Sequence, residues 1–224
     1  MIPNPYPGIF IVFEGIDGCG KTAQLNRVYG WTQTLEIIKH YDVLKMKEPG
    51  KERFFGKKIY ANLSDKNPAA LHKIDPRGFQ TWYACDSKKN LRENIIPALK
   101  QGSIVLCDRF RPSMVYGART LGEIPDLMNM NRQIIGEDFI WPDLILIFDL
   151  PVNAAIKRLK QKNRDLDEHE KHGILKKVRI CYQYFARIYP NCRMINAEES
   201  EEQVSEKVKS LVLPVIESKI RSTT

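Results

Sequence analysis

The sequence has no Cys-x-x-Cys pair, and its five cysteines, Cys19, Cys85, Cys107, Cys181 and Cys192, are scattered and odd in number. That excludes a disulfide framework or a clustered zinc site and fits a reducing cytosol. No apolar run approaches the length needed to cross a bilayer. The opening Met1-Ile2-Pro3-Asn4-Pro5-Tyr6-Pro7 has neither a basic nor a cleavable hydrophobic segment, so no export signal and a cytoplasmic location are expected. The Asn-Lys-x-Asp guanine signature of GTPases is missing, and there is no internal repeat. His169 and His172, beside Glu168 and Glu170, match no zinc spacing and read as solvated side chains. Basic residues do not interleave with aromatics as a single-strand groove requires, so neither nucleic acid nor membrane is an expected partner.

What is present starts with charge. Lys and Arg total 35 against 27 Asp and Glu, a net +8 that suits polyanionic ligands such as nucleotide phosphates. With 224 residues the chain is long enough for one large domain and short for two.

Near the N-terminus, Gly15-Ile16-Asp17-Gly18-Cys19-Gly20-Lys21-Thr22 has two glycines framing four residues, then Lys and Thr. That is the phosphate-loop pattern. Such a loop turns its backbone N–H groups inward around a polyphosphate, Lys21 reaches the β and γ phosphates, and the Thr22 hydroxyl serves Mg²⁺. Context agrees, because the apolar run Gly8 to Glu14 reads as a buried parallel strand. Leu25, Val28, Trp31 or Thr32, Leu35 and Ile38 then recur at helical spacing. Cys19 reads as a small tolerated residue within the loop rather than a redox-sensitive thiol.

Further strands are expected at Tyr41 to Met46, Ser103 to Asp108, Leu144 to Leu150 and Cys192 to Asn196. Helical patterns cover Arg77 to Lys100, with Pro97 bending the last turns, Ile124 to Ile135, Val152 to Leu159 and Leu175 to Phe185. A last helix starts at Ser200, where Ser200 and Gln203 make a capping box. Alternation of strand and helix throughout means a parallel α/β sheet, about five-stranded, with helices on both faces. Asp108, at a strand end, is placed to support Mg²⁺.

The chain resembles the thymidylate kinase family of nucleoside monophosphate kinases. The resemblance rests on Phe13-Glu14-Gly15-Ile16-Asp17-Gly18 through Thr22, on Glu48-Pro49-Gly50 and on Asp108-Arg109-Phe110, with weaker echoes at Tyr83 to Asp86 and Pro142-Asp143-Leu144. It implies a P-loop NTPase three-layer sandwich with a short lid over about residues 157–172. It also implies transfer of the ATP γ-phosphoryl group, with Mg²⁺, to dTMP or a related monophosphate, and a homodimer among the possible partners.

Carried over residue by residue, Gly15 to Thr22 would hold ATP, Arg109 would grip the acceptor's phosphate, Tyr83 would stack on its base, and Asp17 would lie between acceptor sugar and metal. Glu48, Ser87, Ser113 and Tyr116 complete the implied acceptor site. Lys157, Arg158, Lys160, Lys162 and Arg164 fall where the lid should be, and Arg158 or Arg164 would supply the transition-state cation beside Lys21.

The departures gather at the acceptor pocket. Ser87 stands where the family has an arginine that contacts the thymine, and Met114 stands at a usually polar position. The segment after Asp108-Arg109 is one residue short before Tyr116, and Lys51-Glu52-Arg53 replaces the family's Gly-Thr-Pro. Leu166 takes the place of a lid arginine. Glu48 also admits a deoxynucleoside kinase reading, in which it would deprotonate a 5′-hydroxyl. A non-catalytic nucleotide- or nucleic-acid-binding protein is the alternative of another class.

Overall fold

A computed structural model describes residues 3–161 and 172–223. Its centre is a five-stranded sheet in the order β2-β3-β1-β4-β5, parallel at every pairing. The strands are β1 (Ile9–Gly15), β2 (Val43–Lys47), β3 (Ile104–Asp108), β4 (Leu144–Asp149) and β5 (Cys192–Asn196). All seven residues of β1 are buried, as are all five of β3, which is why these segments read as apolar runs up to Glu14 and Asp108. Edge strand β5 buries only Cys192 and Ile195.

Nine α-helices surround the sheet among the described residues: α1 (Lys21–Thr32), α2 (Phe54–Ser64), α3 (Leu71–Ile74), α4 (Pro76–Asn90), α5 (Ile96–Lys100), α6 (Ile124–Ile135), α7 (Val152–Lys160), α8 (His172–Ile188) and α9 (Glu201–Thr223). Helices α1 and α9 pack on each other and on the central strands, forming one layer. Helices α4, α5, α6 and α8 form the other, joined through the 3₁₀ segment Arg111–Gly117. Leu25 and Val28 of α1 and Val204, Val208 and Val212 of α9 carry the buried stripes.

Three local outcomes differ from the sequence expectation, each for a visible reason. The first helix stops at Thr32, and Ile38 reaches the core from a separate 3₁₀ turn, Glu36–Ile38. There the Thr32 hydroxyl donates to the Tyr29 carbonyl (2.7 Å) and the Thr34 hydroxyl to that of Trp31 (2.8 Å), competing with helix propagation. Pro97 is accommodated by a single π turn, Leu91–Ile95, in which the Ile96 N–H bonds the Leu91 carbonyl. A proline cannot donate and its ring crowds the carbonyl four residues back, which this widened turn relieves. Helices α2 and α3 occupy a stretch that has no clean apolar period. The capping box holds as read: the Gln203 N–H donates to Ser200 Oγ (3.2 Å) and the Ser200 N–H to Gln203 Oε1 (3.1 Å).

Candidate functional site: two anion sites that meet at Asp17

The carboxyl ends of β1, β3 and β4 face one cleft, the position where open α/β sheets bind ligands. From the end of β1 the chain turns through the loop into α1. Gly20, at the helix N-cap, has φ 95°, and Gly18 has φ 84°; a Cβ at Gly18 would also lie 2.6 Å from the Ala155 carbonyl oxygen. Neither position tolerates a side chain. The loop and the N-terminus of the twelve-residue α1 border a cavity of about 660 Å³, which also reaches Lys47, Arg158, Ala197 and Glu201. Backbone N–H groups at a helix N-terminus and the helix dipole suit an anion such as a polyphosphate.

Lys21 folds back over the loop, with Nζ 3.3 Å from Asp17 Oδ1 and 3.5 Å from the Ile16 carbonyl oxygen. Thr22 Oγ1 donates to Asp108 Oδ2 at 2.6 Å, and Asp108 Oδ1 is buried with no hydrogen-bond partner among the described residues. A hydroxyl beside an orphaned carboxylate oxygen is the all-oxygen donor set that Mg²⁺ prefers, so the residues present fit that ion. Arg158, on α7, donates from Nη2 to the Ala197 carbonyl (3.1 Å) while Nη1 lies 4.0 Å from where a Gly20 Cβ would be. It therefore borders the phosphate loop.

Register places Asp108 opposite Phe13, and Arg109 follows in the left-handed region at φ 70°. For a residue that is not glycine this conformation is uncommon and persists only when surroundings hold it. Here they do. The Arg109 N–H donates to the Phe13 carbonyl (3.0 Å), and the next N–H, of Phe110, donates to Glu14 Oε1 (2.7 Å). Its guanidinium donates from Nη2 to Asp17 Oδ1 (2.5 Å) and from Nη1 to Gly15 O (3.3 Å) and Ser113 Oγ (3.2 Å). Tyr116 donates to Asp17 Oδ2 (3.1 Å), and Ser113 and Tyr182 both donate to Glu14 Oε2 (2.8 Å each).

Burial works against ionisation of Asp17, but the charges of Arg109 and Lys21 outweigh it and hold the carboxyl well below its usual range. Asp17 thus touches both cations, joining the phosphate-loop cavity to the ground around Arg109. For Glu14 the balance goes the other way: burial raises its pKa despite Arg109 and three hydrogen bonds.

Beyond Arg109 lies a recess lined by Glu48, Pro49, Gln80, Tyr83, Ser87, Arg111, Met114 and Asn131. Its own side chains nearly fill it, leaving about 30 Å³, and Tyr83 in its wall is half-buried. The turn Glu48-Pro49-Gly50 is fixed by Asp86, which accepts from the Gly50 N–H (3.0 Å) and takes both Nε and Nη2 of Arg53 (2.9 and 2.6 Å). Glu48 accepts from Asn90 Nδ2 at 3.0 Å, and burial pushes its carboxyl up to about 7, with Arg111 and Arg53 pulling back.

Of the residues singled out in the sequence, the phosphate loop, Asp108, Arg109, Ser113, Tyr116, Glu48, Tyr83, Ser87 and Arg158 converge on this cleft. Arg164, Lys162 and most of the expected lid lie outside the described residues. Glu14, Tyr182, Asp86 and Arg111 belong to the site but carry no individual role in the sequence reading. Tyr182 recurs at helical spacing like a core residue, and only the fold shows that its hydroxyl ends on Glu14.

The family model described as thymidylate kinase matches residues 13–208. The "Thymidylate kinase" of Thermosipho africanus is 34% identical over 207 residues, covering 91% of this chain and 97% of the relative. The "Probable thymidylate kinase" of Pyrococcus horikoshii is 33% identical over 208 residues, 92% of this chain and 96% of the relative. The "Thymidylate kinase" of Prochlorococcus marinus strain NATL2A is 32% identical over 222 residues, 95% and 99%. A match that begins on β1 and runs into α9, over a parallel sheet whose loop, Asp108 and Arg109 meet in one cleft, places the chain in the thymidylate kinase family.

Proposed function

We propose that this chain transfers the γ-phosphoryl group of ATP to thymidine monophosphate, or a closely related monophosphate, to give the diphosphate. The observation that carries this reading is Asp17, bonded at once to Lys21 of the phosphate loop and to Arg109. Two anion-seeking cations one carboxylate apart are what an enzyme needs to bring two polyanions together.

The acceptor phosphate has its second ionisation near ~6, so at neutral pH the attacking oxygen is already largely anionic and needs no general base. The work is positioning and charge stabilisation. Lys21 and the loop N–H groups seat the donor phosphates. Arg109, its geometry locked by Asp17, Ser113 and Tyr116, holds the acceptor phosphate, and Asp17 orients both cations. Tyr83 offers a stacking face to the base, with Glu48 and Ser87 deeper in the recess. Arg158, which borders the phosphate loop, is one choice for the transition-state cation and Arg164 the other. Thr22 and Asp108 would hold Mg²⁺, which would supply positive charge against the phosphates.

In this reading the chain is one kinase domain with a lid over about residues 157–172 and works in the cytoplasm, with a second copy of itself a possible partner. Among the described residues no helix is long and apolar enough to cross a membrane.

A second reading, phosphorylation of a nucleoside hydroxyl, draws on Glu48, whose carboxyl near 7 suits a general base. Incubation with Mg-ATP and a panel of monophosphates and nucleosides separates the two. Diphosphate formed from a monophosphate is expected; product from nucleosides alone would overturn the proposal.

A further inference from the structure

Arg111 opens the 3₁₀ segment after Arg109, and neither its burial nor its position is explained by phosphate binding. The residue is 3% exposed, and Nε, Nη1 and Nη2 all lack a hydrogen-bond partner among the described residues. The guanidinium lies between two rings, 4.2 Å from the Phe110 centroid and 4.3 Å from that of Phe139. Cation–π contact offsets part of the desolvation, yet a buried charge without hydrogen bonds remains a standing cost to the fold. Glu48 does not relieve it: Glu48 acts on Arg111 only as a charge and accepts its hydrogen bond from Asn90.

A second group in the same recess is in the same condition, since Ser87 Oγ is buried and has no partner. The recess begins at Arg109, beside Asp17 and the phosphate loop. Arg111 lines the same recess as Met114 and Asn131 and packs on the Phe139 ring. A nucleotide gripped at its phosphate by Arg109 would extend its base into this recess.

Resting on the acceptor reading above, we propose that Arg111, with Ser87 beside it, reads a carbonyl oxygen on the acceptor's base, so that the recess selects 4-oxo pyrimidines over 4-amino ones. The chemistry is one-sided. A guanidinium has only donors, which a carbonyl oxygen satisfies and an exocyclic amine opposes N–H to N–H. A site whose buried polar groups are left unpaired by the wrong ligand discriminates by about 10⁴-fold or more, far beyond what apolar fit supplies. The fork emerges from a different element than Ser87, on a side chain held flat by two aromatic rings.

The test is equilibrium binding of thymidine monophosphate, deoxycytidine monophosphate and ATP to the full chain and to its Arg111→Met and Arg111→Lys variants, with a melting curve for each. Arg111→Met should weaken thymidine monophosphate by about 10²-fold or more and bring the two pyrimidines within about tenfold of each other. ATP affinity should stay unchanged, and the melting temperature should hold or rise, because a buried unpaired charge has been replaced by apolar volume. Arg111→Lys keeps the charge without the planar fork and should recover part of the loss.

Unchanged affinity and unchanged discrimination in Arg111→Met would overturn the proposal. So would a lowered melting temperature with ATP weakened in parallel, which marks a structural cation, or a wild-type chain that binds both pyrimidines equally. A wild-type chain that binds ATP but neither monophosphate would instead overturn the acceptor reading on which this rests.

Discussion

Replacing Arg109 with methionine separates what that residue does for stability from what it does for the acceptor. In the folded protein Arg109 Nη2 lies 2.5 Å from Asp17 Oδ1, and Lys21, at 3.3 Å, is the other cation bonded to that carboxylate. At an effective dielectric of about 20 the closer pair attracts with roughly 7 kcal/mol gross, most of which repays desolvation. Removing one partner of a largely buried pair costs about 3–5 kcal/mol, because the other charge is left behind. Asp17 is 29% exposed, which favours the low end, about 3 kcal/mol, equivalent to a fall in Tm of roughly 6–12 °C for a chain of this size.

Adding Asp17→Asn removes the stranded carboxylate, so the double variant should be more stable than Arg109→Met alone, with a coupling energy of about 1.5–3 kcal/mol. Activity should not follow. Two lost charge-assisted hydrogen bonds to a phosphate, at about 1.5–3 kcal/mol each, lower kcat/KM for the monophosphate by about 10²-fold or more in both variants. Urea unfolding of the four proteins and steady-state kinetics on each decide the matter. Stability effects that add without coupling, or activity that returns together with stability, would refute the reasoning.

Glu48 gives a pH-dependent test. Its carboxyl sits near 7 when folded, above the ordinary 4.5, so the folded state binds the proton more tightly. That contribution is full below about pH 4.5 and is lost as pH rises through 7, amounting to up to about 3 kcal/mol. Glu48→Gln, which can still accept from Asn90, should flatten this part of the stability–pH curve and be more stable than wild type at pH 8; identical curves would refute the assignment. Arg158→Ala should lower kcat by at least about 10²-fold with KM for ATP little changed, as measured in saturating steady state. A fall of less than tenfold would remove Arg158 as the transition-state cation.

The parts of this molecule that were legible in its sequence are those where one local rule dictates the residue. The phosphate loop is readable because Gly18 and Gly20 stand at left-handed backbone positions, and β1, β3 and β4 because burial on both faces makes them apolar up to a carboxylate near each carboxyl end. Asp108 stands out from its place at a strand end, whereas Arg109 is singled out by the family resemblance. The rest depends on contacts between distant segments. Glu14 reads as one more residue of a strand, yet it collects Phe110, Ser113 and Tyr182, the last from 168 positions away. Asp86 shows its purpose only when α4 brings it to Gly50 and Arg53. Arg111 was visible as a basic residue beside Arg109; that it is buried between Phe110 and Phe139 follows from packing that no spacing rule contains.

The most direct test is a single turnover of the wild-type chain with γ-labelled ATP, Mg²⁺ and thymidine monophosphate, run beside a folded Lys21→Ala variant. Label is expected in the β position of thymidine diphosphate with the wild type, slowed by orders of magnitude with Lys21→Ala. Label released only as inorganic phosphate, or transferred equally fast by the folded Lys21→Ala variant, would contradict the picture of two anions brought together across Asp17.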